Sequence, residues 1–327
     1  MKWLGGILLC CITSATSFLT TAIAADIYPN KPIRLICPST PGGTTDIVAR
    51  LVAQNLSEAW KQRVIVDNRG GAGGLIGTQI AAESLPDGYT LAIGTMSTHS
   101  VTPAFNKLVK YDPVKDFSPV SLVVSAPQML AINPSMPVNS PQELISAAKA
   151  KPGKLLYSTS GKGSTPHVAF ELFKLTAGID ILGVQYKASG PAITDLIAGQ
   201  VQMMITGVLA LAPHVKSGKL KALAITSLKR SPSFPDLPTL NETGVPGFDV
   251  QVWFGVFMPA GAPKHAVAAT NLEIRKMLEK PELRQNLINQ GADPVSNTPD
   301  EFRNLVKTDF MRWKKVIEKT GIASGES

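Results

Sequence analysis

Residues 33–46, IRLICPSTPGGTTD, join an apolar run to a glycine-rich loop that leads into an amphipathic stretch. The run IRLIC, rich in isoleucine and leucine, predicts a buried strand. Apolar residues then recur at helical spacing over residues 45–60, which predicts a helix. Two further predicted strands, over 63–66 and 90–94, flank a second predicted helix over 75–83. A chain that begins strand–helix–strand–helix–strand predicts a parallel sheet with right-handed crossovers.

The same alternation resumes beyond a long apolar stretch, Val120–Ile132, which we interpret as the strand that crosses into a second unit. The helices predicted from Lys264 onward are expected to return and cover the first sheet. The expected fold is therefore α/β with two lobes and a ligand cleft between them. We expect the first lobe to comprise residues 26–131 and 229–327, and the second lobe to comprise residues 132–228.

The composition is that of a packed globular protein. Of the 327 residues, 44% are hydrophobic and 17% are charged, which supplies a sizeable core and excludes a largely disordered chain. The formal net charge of +8 raises the question of nucleic-acid binding. The charges are scattered, however, with no long run of one sign and no aromatic–basic motif for RNA. We therefore expect no nucleic-acid partner.

The first 25 residues have the pattern of a secretory signal peptide, with a basic start, an apolar stretch from Ile7 and small residues before the cleavage site. Cleavage after Ala24 and cleavage after Ala25 fit this pattern equally well. The apolar stretch is too short and too polar to span about 30 Å of hydrocarbon. Removal of residues 1–25 leaves Cys37 as the only cysteine, so we expect no disulfide within the mature chain.

The loop Pro41–Asp46 follows a predicted strand and opens a predicted helix, which is where open α/β sheets bind ligands. Its two glycines let backbone N–H groups approach a ligand, and the helix N-terminus adds unpaired donors and partial positive charge. Thr44 or Thr45 could cap the helix. The loop is therefore either an anion cradle or a tight turn with a good N-cap. Asp46 could face away, accept hydrogen bonds from the N–H groups of another loop, or meet a ligand ammonium.

A second loop of the same kind, Thr159–His167, lies in the second predicted unit. Two glycines again free the backbone, and a serine, a threonine and a proline suit the start of a helix. The loop lacks the G-x-x-x-x-G-K-[ST] spacing of a phosphate-binding loop. His167 either touches the ligand or closes a hydrogen bond within its own loop. If the two loops face each other across the cleft, they can hold one anionic group between them.

Two further loops bring hydroxyl groups to the same predicted cleft: Thr95 and Ser97 follow the third strand, and Ser189 precedes a helix of the second unit. The glycine-rich stretch 68–77 fails the G-x-G-x-x-G spacing of a dinucleotide site, so we interpret it as a packed turn. The predicted ligand-binding residues are Ser39, Gly42, Gly43, Thr44, Thr45, Asp46, Thr95, Ser97, Thr159, Ser160, Gly161, Gly163, Ser164, Thr165, His167 and Ser189.

The sequence lacks several common enzyme motifs. The chain has four histidines and no H-E-x-x-H, C-x-x-C or G-x-S-x-G segment. Nothing in the spacing places a serine, a histidine and an aspartate as a catalytic triad. No group of residues has the spacing of metal ligands. We therefore expect a protein that is not an enzyme, with no catalytic residue, no metal and no cofactor.

Several motifs in order along nearly the whole mature chain resemble those of one family, the periplasmic solute receptors of tripartite tricarboxylate transporters, also called Bug receptors. Each motif is weak alone, and the set is specific. The matching segments are Tyr28-Pro29, Pro41-Gly42-Gly43, Val66-Asp67-Asn68-Arg69, Pro86-Asp87-Gly88-Tyr89-Thr90-Leu91, Tyr111-Asp112-Pro113, Ser160-Gly161, Gly190-Pro191-Ala192, Asp195-Leu196, Gly199-Gln200 and Pro259-Ala260-Gly261.

The resemblance implies a two-lobed, Venus-flytrap receptor of the periplasm that carries a small carboxylate to integral-membrane transporter subunits. It also implies that the loops Pro41–Asp46 and Thr159–His167 hold the carboxylate. Ser39 departs from the family, which often has an aromatic residue there, and the serine would leave a roomier or more polar pocket wall. We expect a monomer. The alternatives are a ligand sensor that reports to a signalling partner and, as a third reading, a secreted enzyme.

Overall fold

The computed structural model describes residues 28–106 and 109–322. The predicted signal peptide lies outside these residues. The strands are β1 Ile33–Cys37, β2 Val64–Asn68, β3 Thr90–Thr95, β4 Phe117–Ile132, β5 Leu156–Thr159, β6 Leu182–Gln185, β7 Met203–Gly207, β8 Lys221–Ile225, β9 Gln251–Pro259 and β10 Asp293–Pro294. The helices are α1 Thr44–Trp60, α2 Leu75–Ala82, α3 Thr102–Phe105, α4 Pro141–Ala150, α5 Thr165–Ala177, α6 Ser189–Ile197, α7 Val208–Lys216, α8 Lys264–Glu279, α9 Pro281–Asn289 and α10 Pro299–Thr320.

The strands form one mixed sheet in the order β2-β1-β3-β9-β4-β7-β5-β6, and β8 and β10 also pair with β4. The pairs of β1 with β2 and β3 are parallel, as the sequence pattern predicts, and so are the pairs of β5 with β6 and β7. Antiparallel pairing enters where β9 and β4 lie in the middle of the sheet. The predicted parallel pairing is therefore confirmed at both ends of the sheet, and the antiparallel centre lies outside that prediction.

The long strand β4 connects the two lobes. Its residues Phe117–Pro127 pair with β9, and its residues Gln128–Ile132 pair with β7. We call β1–β3, β9, β10, α1–α3 and α8–α10 the first lobe, and α4–α7 and β5–β8 the second lobe. The protein therefore has the expected two-lobed α/β fold. The lobe boundaries expected at residues 131 and 229 stay a prediction.

The C-terminal helices pack on the first-lobe side of the sheet. Helix α8 contacts β4 and α1, and helix α10 contacts β4 and α3. Helix α10 begins with a capping box between Thr298 and Glu301. Its Trp313 is almost fully buried, and the indole N–H of Trp313 donates to the sulfur of Met96 at 3.2 Å. Hydrophobic burial and one oriented polar contact therefore hold this helix against the end of β3.

The sequence pattern misses helix α7. Its residues read VLALAPHVK, and Val208–Ala212 are all buried. A helix that is apolar on every side has no polar face, so it shows no helical periodicity in the sequence. Pro213 stands inside this helix, where a proline removes one backbone hydrogen bond. The short turn Ser97–Val101 and the one-turn helix α3 are likewise absent from the prediction.

Candidate ligand-binding site

A cavity of about 60 Å³ lies between the two lobes. One ordered water needs about 10–15 Å³ of such space, so the cavity has room for several water molecules or one small organic molecule. Both lobes and the connecting strand β4 contribute to its wall. The lining residues are Pro38, Ser39, Thr44, Thr45, Gly73, Gly74, Thr95, Met96, Ser97, Thr98, Gln128, Ser160, Thr165, Pro166, Lys187, Ala188, Ser189, Thr206, Gly207, Val252 and Phe254.

The first lobe presents the N-terminus of α1 to this cavity. Gly43 occupies the N-cap position, and no side chain caps the helix. The free N–H groups of the first turn therefore remain available to a ligand. Thr44 and Thr45, the first two residues of the helix, line the cavity. The N-terminal end of a 17-residue helix also carries partial positive charge, which favours an anion.

Asp46 braces the loop that precedes α1. Its carboxylate accepts hydrogen bonds from the Gly42 N–H at 3.1 Å, the Arg50 Nε–H at 3.0 Å and the Asn68 amide at 2.9 Å. Burial alone would raise the pKa of Asp46, but these hydrogen bonds and the Arg50 charge hold the pKa below its usual range. Asp46 does not line the cavity. Asp46 therefore accepts hydrogen bonds, as one of the three alternatives expected, but its donors are the N–H of its own loop and two side chains, and not the backbone of another loop.

The second lobe presents the N-terminus of α5. The Ser164 hydroxyl caps this helix by accepting the His167 N–H at 3.4 Å. The Gly163 N–H donates to Nδ1 of His167 at 3.2 Å, so the imidazole closes its own loop and does not line the cavity. Burial lowers the pKa of His167, which favours the neutral ring that can accept this bond. The hydroxyl of Thr165 is buried, lines the cavity and has no hydrogen-bond partner.

The two lobes are in direct contact around the cavity. The Thr165 N–H donates to the Ser97 hydroxyl at 3.1 Å, and the Thr102 hydroxyl donates to the Gly163 carbonyl at 3.0 Å. The Thr44 hydroxyl donates to the Gly207 carbonyl at 3.4 Å. These hydrogen bonds join residues of the first lobe to residues of the second. The structure is therefore a closed arrangement of the lobes.

Glycines permit this close approach. A Cβ atom at Gly207 would lie 2.5 Å from the Thr44 hydroxyl oxygen. A Cβ atom at Gly161 would lie 2.8 Å from the backbone nitrogen of Gly73. The glycine-rich stretch that we interpret as a packed turn is such a turn, and its Gly73 and Gly74 also line the cavity. The turn therefore belongs to the lobe interface, which its local sequence does not reveal.

The predicted site residues divide into two groups according to their position. Eight of them line the cavity with a side chain or backbone: Ser39, Thr44, Thr45, Thr95, Ser97, Ser160, Thr165 and Ser189. The others belong to the two loops behind the wall and do not line it: Gly42, Gly43, Asp46, Thr159, Gly161, Gly163, Ser164 and His167. The second group shapes and holds the loops that carry the first.

Sequence reasoning missed the part of the wall that comes from the sheet. Gln128 on β4, Thr206 on β7, and Val252 and Phe254 on β9 all line the cavity. Successive side chains of a strand point to opposite faces of the sheet, so the sequence alone does not show which of them face a cleft. One signal was present in the sequence: Gln128 is the one long polar side chain in the stretch from Val120 to Ile132, whose other polar residues are Ser121 and Ser125.

The charge inside the cavity wall is low. Lys187 is the single charged residue among the lining residues, and it is exposed. Among the described residues, no group of three or more His, Cys, Asp or Glu side chains could hold a metal ion. No helix within residues 28–106 and 109–322 is long and apolar enough to cross a membrane. Apart from Lys187, the wall is built from hydroxyls, backbone, one amide and apolar side chains.

Comparison with known proteins gives consistent matches over most of the chain. A family model described as the tripartite tricarboxylate transporter family receptor matches residues 48–322. Protein BugT of Bordetella pertussis is 39% identical over 308 residues, which cover 94% of each chain. An R. palustris protein solved with adipate is 37% identical with a TM-score of 0.87, covering 90% of this chain and 98% of its own. MatC from Rhodopseudomonas palustris, solved with malate, is 32% identical with a TM-score of 0.85, covering 89% and 100%.

Proposed function

Because this chain belongs to the tripartite tricarboxylate transporter receptor family, we propose that it captures a small organic carboxylate between its lobes and passes it to membrane subunits of a transporter. Two similar proteins were solved with adipate and with malate, and both of these molecules are carboxylates. One observation carries the proposal. The first residues of α1, from one lobe, and of α5, from the other, line the same cavity.

We place the ligand carboxylate where these two helix N-termini converge. Backbone N–H groups before and within the first turn of α1 can donate to its oxygens, and the hydroxyls of Thr44, Thr45 and Thr165 lie in the same wall. The exposed ammonium of Lys187 adds positive charge beside the cavity. No acidic side chain among the lining residues opposes an anion. This donor-rich wall supports the assignment.

Lobe closure follows from the same geometry. The two helix N-termini belong to different lobes, so a carboxylate contacts both only when the lobes are together. A ligand that binds the closed arrangement more tightly shifts the population of the receptor toward it. The membrane subunits would then recognise the closed, loaded protein. The contacts Thr44–Gly207 and Thr165–Ser97 belong to this closed state.

Three further statements are part of the proposal. The protein is exported by the signal peptide at residues 1–25, it acts as a monomer, and it releases its ligand unchanged. Intact-mass measurement of protein recovered from the periplasm should show an N-terminus at Ala25 or Asp26. Light scattering should give the mass of one chain. Mass spectrometry of an acid recovered after prolonged incubation should show the starting compound, and a converted product would contradict the receptor function.

The test of the receptor function is a thermal-shift panel. The protein is first unfolded and refolded so that any retained molecule is removed. It is then heated with mono-, di- and tricarboxylates, hydroxy acids, amino acids and aromatic acids. A ligand at about 100 times its Kd stabilises the native state by about 2.7 kcal/mol, which raises the Tm by about 4 °C in a chain of this size. No shift with any acid would contradict carboxylate capture.

A further inference from the structure

The outward side of helix α10 carries positive charge in a long stretch that has no exposed acid. The helix is fixed to the first lobe by its buried residues Phe302, Val306, Trp313 and Ile317. Between residues 303 and 315 its exposed residues comprise cations, two small polar residues and one apolar residue: Arg303, Asn304, Lys307, Thr308, Met311, Arg312, Lys314 and Lys315. This stretch of helix is about 18 Å long and presents charge of one sign to the solvent.

Five of these side chains share one side of the helix. At 3.6 residues per turn, Arg303, Lys307, Met311, Lys314 and Lys315 fall within an arc of about 120°, opposite the buried residues. We call these five residues the basic face. A single flat surface can therefore contact all five of them at once.

The acids of α10 do not neutralise the basic face. Asp309 accepts the indole N–H of Trp253 at 2.9 Å and pairs with Arg312 at 3.6 Å. The other acids of the helix lie beyond the two ends of the basic face: Asp300, Glu301 and Glu318. Among the residues that the structure describes, no hydrogen bond or ion pair engages a cation of the basic face.

Other helices of the protein pair their cations. Lys276 of α8 contacts Glu273 at 2.8 Å, and Lys174 of α5 contacts Glu171 at 3.0 Å, each one turn away. On the basic face the neighbour one turn away can be another cation, because Lys307 lies four residues after Arg303. Like charges at this spacing destabilise a helix slightly. The fold therefore gains nothing from this arrangement, whereas an anionic surface outside the chain would neutralise it.

Met311 indicates what kind of anionic surface fits. It lies at the centre of the basic face and is 47% exposed. A helix that rests on a bilayer places its apolar side chains at the boundary of headgroups and acyl chains, while lysine and arginine meet the phosphates. An acidic peptide or a free anion would pair with the cations and gain little from an exposed methionine. The combination of cations around one apolar residue therefore favours a phospholipid surface.

We propose that the basic face of α10 docks the protein on an anionic phospholipid surface, with Met311 at the headgroup boundary. This interaction goes beyond carboxylate capture and does not depend on it. It brings the protein to the same layer in which the membrane subunits of a transporter lie. The contact is electrostatic and reversible, because the helix stays part of the first lobe and only its outward side chains meet the lipid.

The first experiment measures sedimentation of the mature chain with lipid vesicles. The vesicles contain either phosphatidylcholine alone or phosphatidylcholine with phosphatidylglycerol. Each cation near an anionic surface strengthens binding about fivefold, so four of them predict half-saturation at about 1 mM accessible lipid in about 0.1 M NaCl. We expect no binding to the neutral vesicles, and release at about 1 M NaCl, where the Debye length falls from about 10 Å to about 3 Å. Equal binding to both kinds of vesicle would overturn the proposal.

A triple variant tests whether the basic face is the site of contact. It carries Lys307→Gln, Lys314→Gln and Lys315→Gln. The matched control makes the same change in net charge at exposed lysines of the second lobe: Lys149→Gln, Lys151→Gln and Lys154→Gln. We expect about 100-fold weaker binding of the basic-face variant and less than about threefold for the control. The Tm of the basic-face variant should not fall, since the replaced lysines make no contacts. Equal weakening by both variants would show an effect of net charge alone and overturn the proposal.

A dye that changes its fluorescence in an apolar environment locates the contact directly. It is attached to Met311→Cys in one protein and to Leu182→Cys in another, because Leu182 is 50% exposed and lies in the second lobe. Cys37 is fully buried, so the dye reacts with the new cysteine. Anionic vesicles should shift the emission to the blue at residue 311 and leave it unchanged at residue 182. The reverse pattern, or equal shifts, would overturn the proposed orientation.

The outcomes are independent of the proposed function, because vesicle binding needs no carboxylate and the thermal-shift panel needs no lipid. If the unchanged protein does not sediment with anionic vesicles, the docking proposal is overturned, and an acidic protein surface becomes the partner to test against the basic face. Carboxylate capture stands in that case as long as the panel of acids gives a shift.

Discussion

Gly207→Ala should weaken carboxylate binding without weakening either lobe. Gly207 has φ −56° and ψ 132°, a conformation that alanine adopts without strain. Its new methyl group would lie 2.5 Å from Oγ1, 3.0 Å from Cγ2 and 3.1 Å from Cβ of Thr44, which belongs to the other lobe. The clash therefore exists only when the lobes are closed. Overpacking of this kind costs about 1–3 kcal/mol, which corresponds to about a fivefold to 150-fold loss of affinity.

The assay is calorimetric titration with the acid that binds most tightly in the panel, together with the Tm of the ligand-free protein. The matched control is the same substitution in a Thr44→Ala background, where the hydroxyl and methyl that cause the clash are gone. In that background Gly207→Ala should lower the affinity by less than about threefold, so the effects of the two substitutions are strongly coupled. An equal loss of affinity in both backgrounds, or a large fall in the Tm of the ligand-free protein, would refute the argument that Gly207 acts through lobe closure.

Three other residues allow separate tests. Burial lowers the pKa of His99 to about 3, whereas the pKa of a histidine in the unfolded chain is about 6.5. As the pH falls below about 6.5, the unfolded chain therefore binds a proton that the folded chain does not. The stability that His99 contributes at neutral pH is lost between about pH 6.5 and pH 3. From pH 7 to pH 5 this loss amounts to about 2 kcal/mol. Urea unfolding of His99→Phe should lack it, and an unchanged pH dependence would contradict the assignment. Asp46→Asn should lower the free energy of unfolding by about 1–3 kcal/mol and weaken acid binding, because the carboxylate holds Gly42 and its loop; unchanged affinity would show that the loop does not need this brace. Lys187→Met should weaken binding by no more than about fivefold and reduce its dependence on NaCl concentration, whereas an unchanged salt dependence would exclude an electrostatic role.

The order of strands and helices could be predicted from the sequence because most elements have one apolar face. Alternation of short apolar runs with helical stripes is a local signal, and it is sufficient to place β1–β3 and their parallel pairing. Helix α7 was not predictable in this way, because Val208–Ala212 are apolar on every side. The antiparallel centre of the sheet was not predictable either, since it joins β4 to β9 more than a hundred residues later.

The candidate site was predictable where it is made of loops. Glycines beside helix starts are visible in the sequence, and several hydroxyl residues of those loops do line the cavity. The role of Asp46 depends on Asn68, which arrives from the end of a different strand. The presence of Gln128 in the wall depends on which way β4 faces and on its pairing with β7, a strand that comes more than seventy residues later. Such long-range neighbours have no signature in a single local stretch.

The strand β4 has a consequence for any attempt to divide the molecule. Its first part is flanked by β9 and β10, and its last part is flanked by β7 and β8. A fragment that lacks β4 would expose unpaired edges on both neighbours, which are templates for aggregation. A fragment that keeps β4 would carry half of it without partners. We therefore expect the chain to melt as one cooperative unit, and a split-protein version cut within β4 to give no soluble halves.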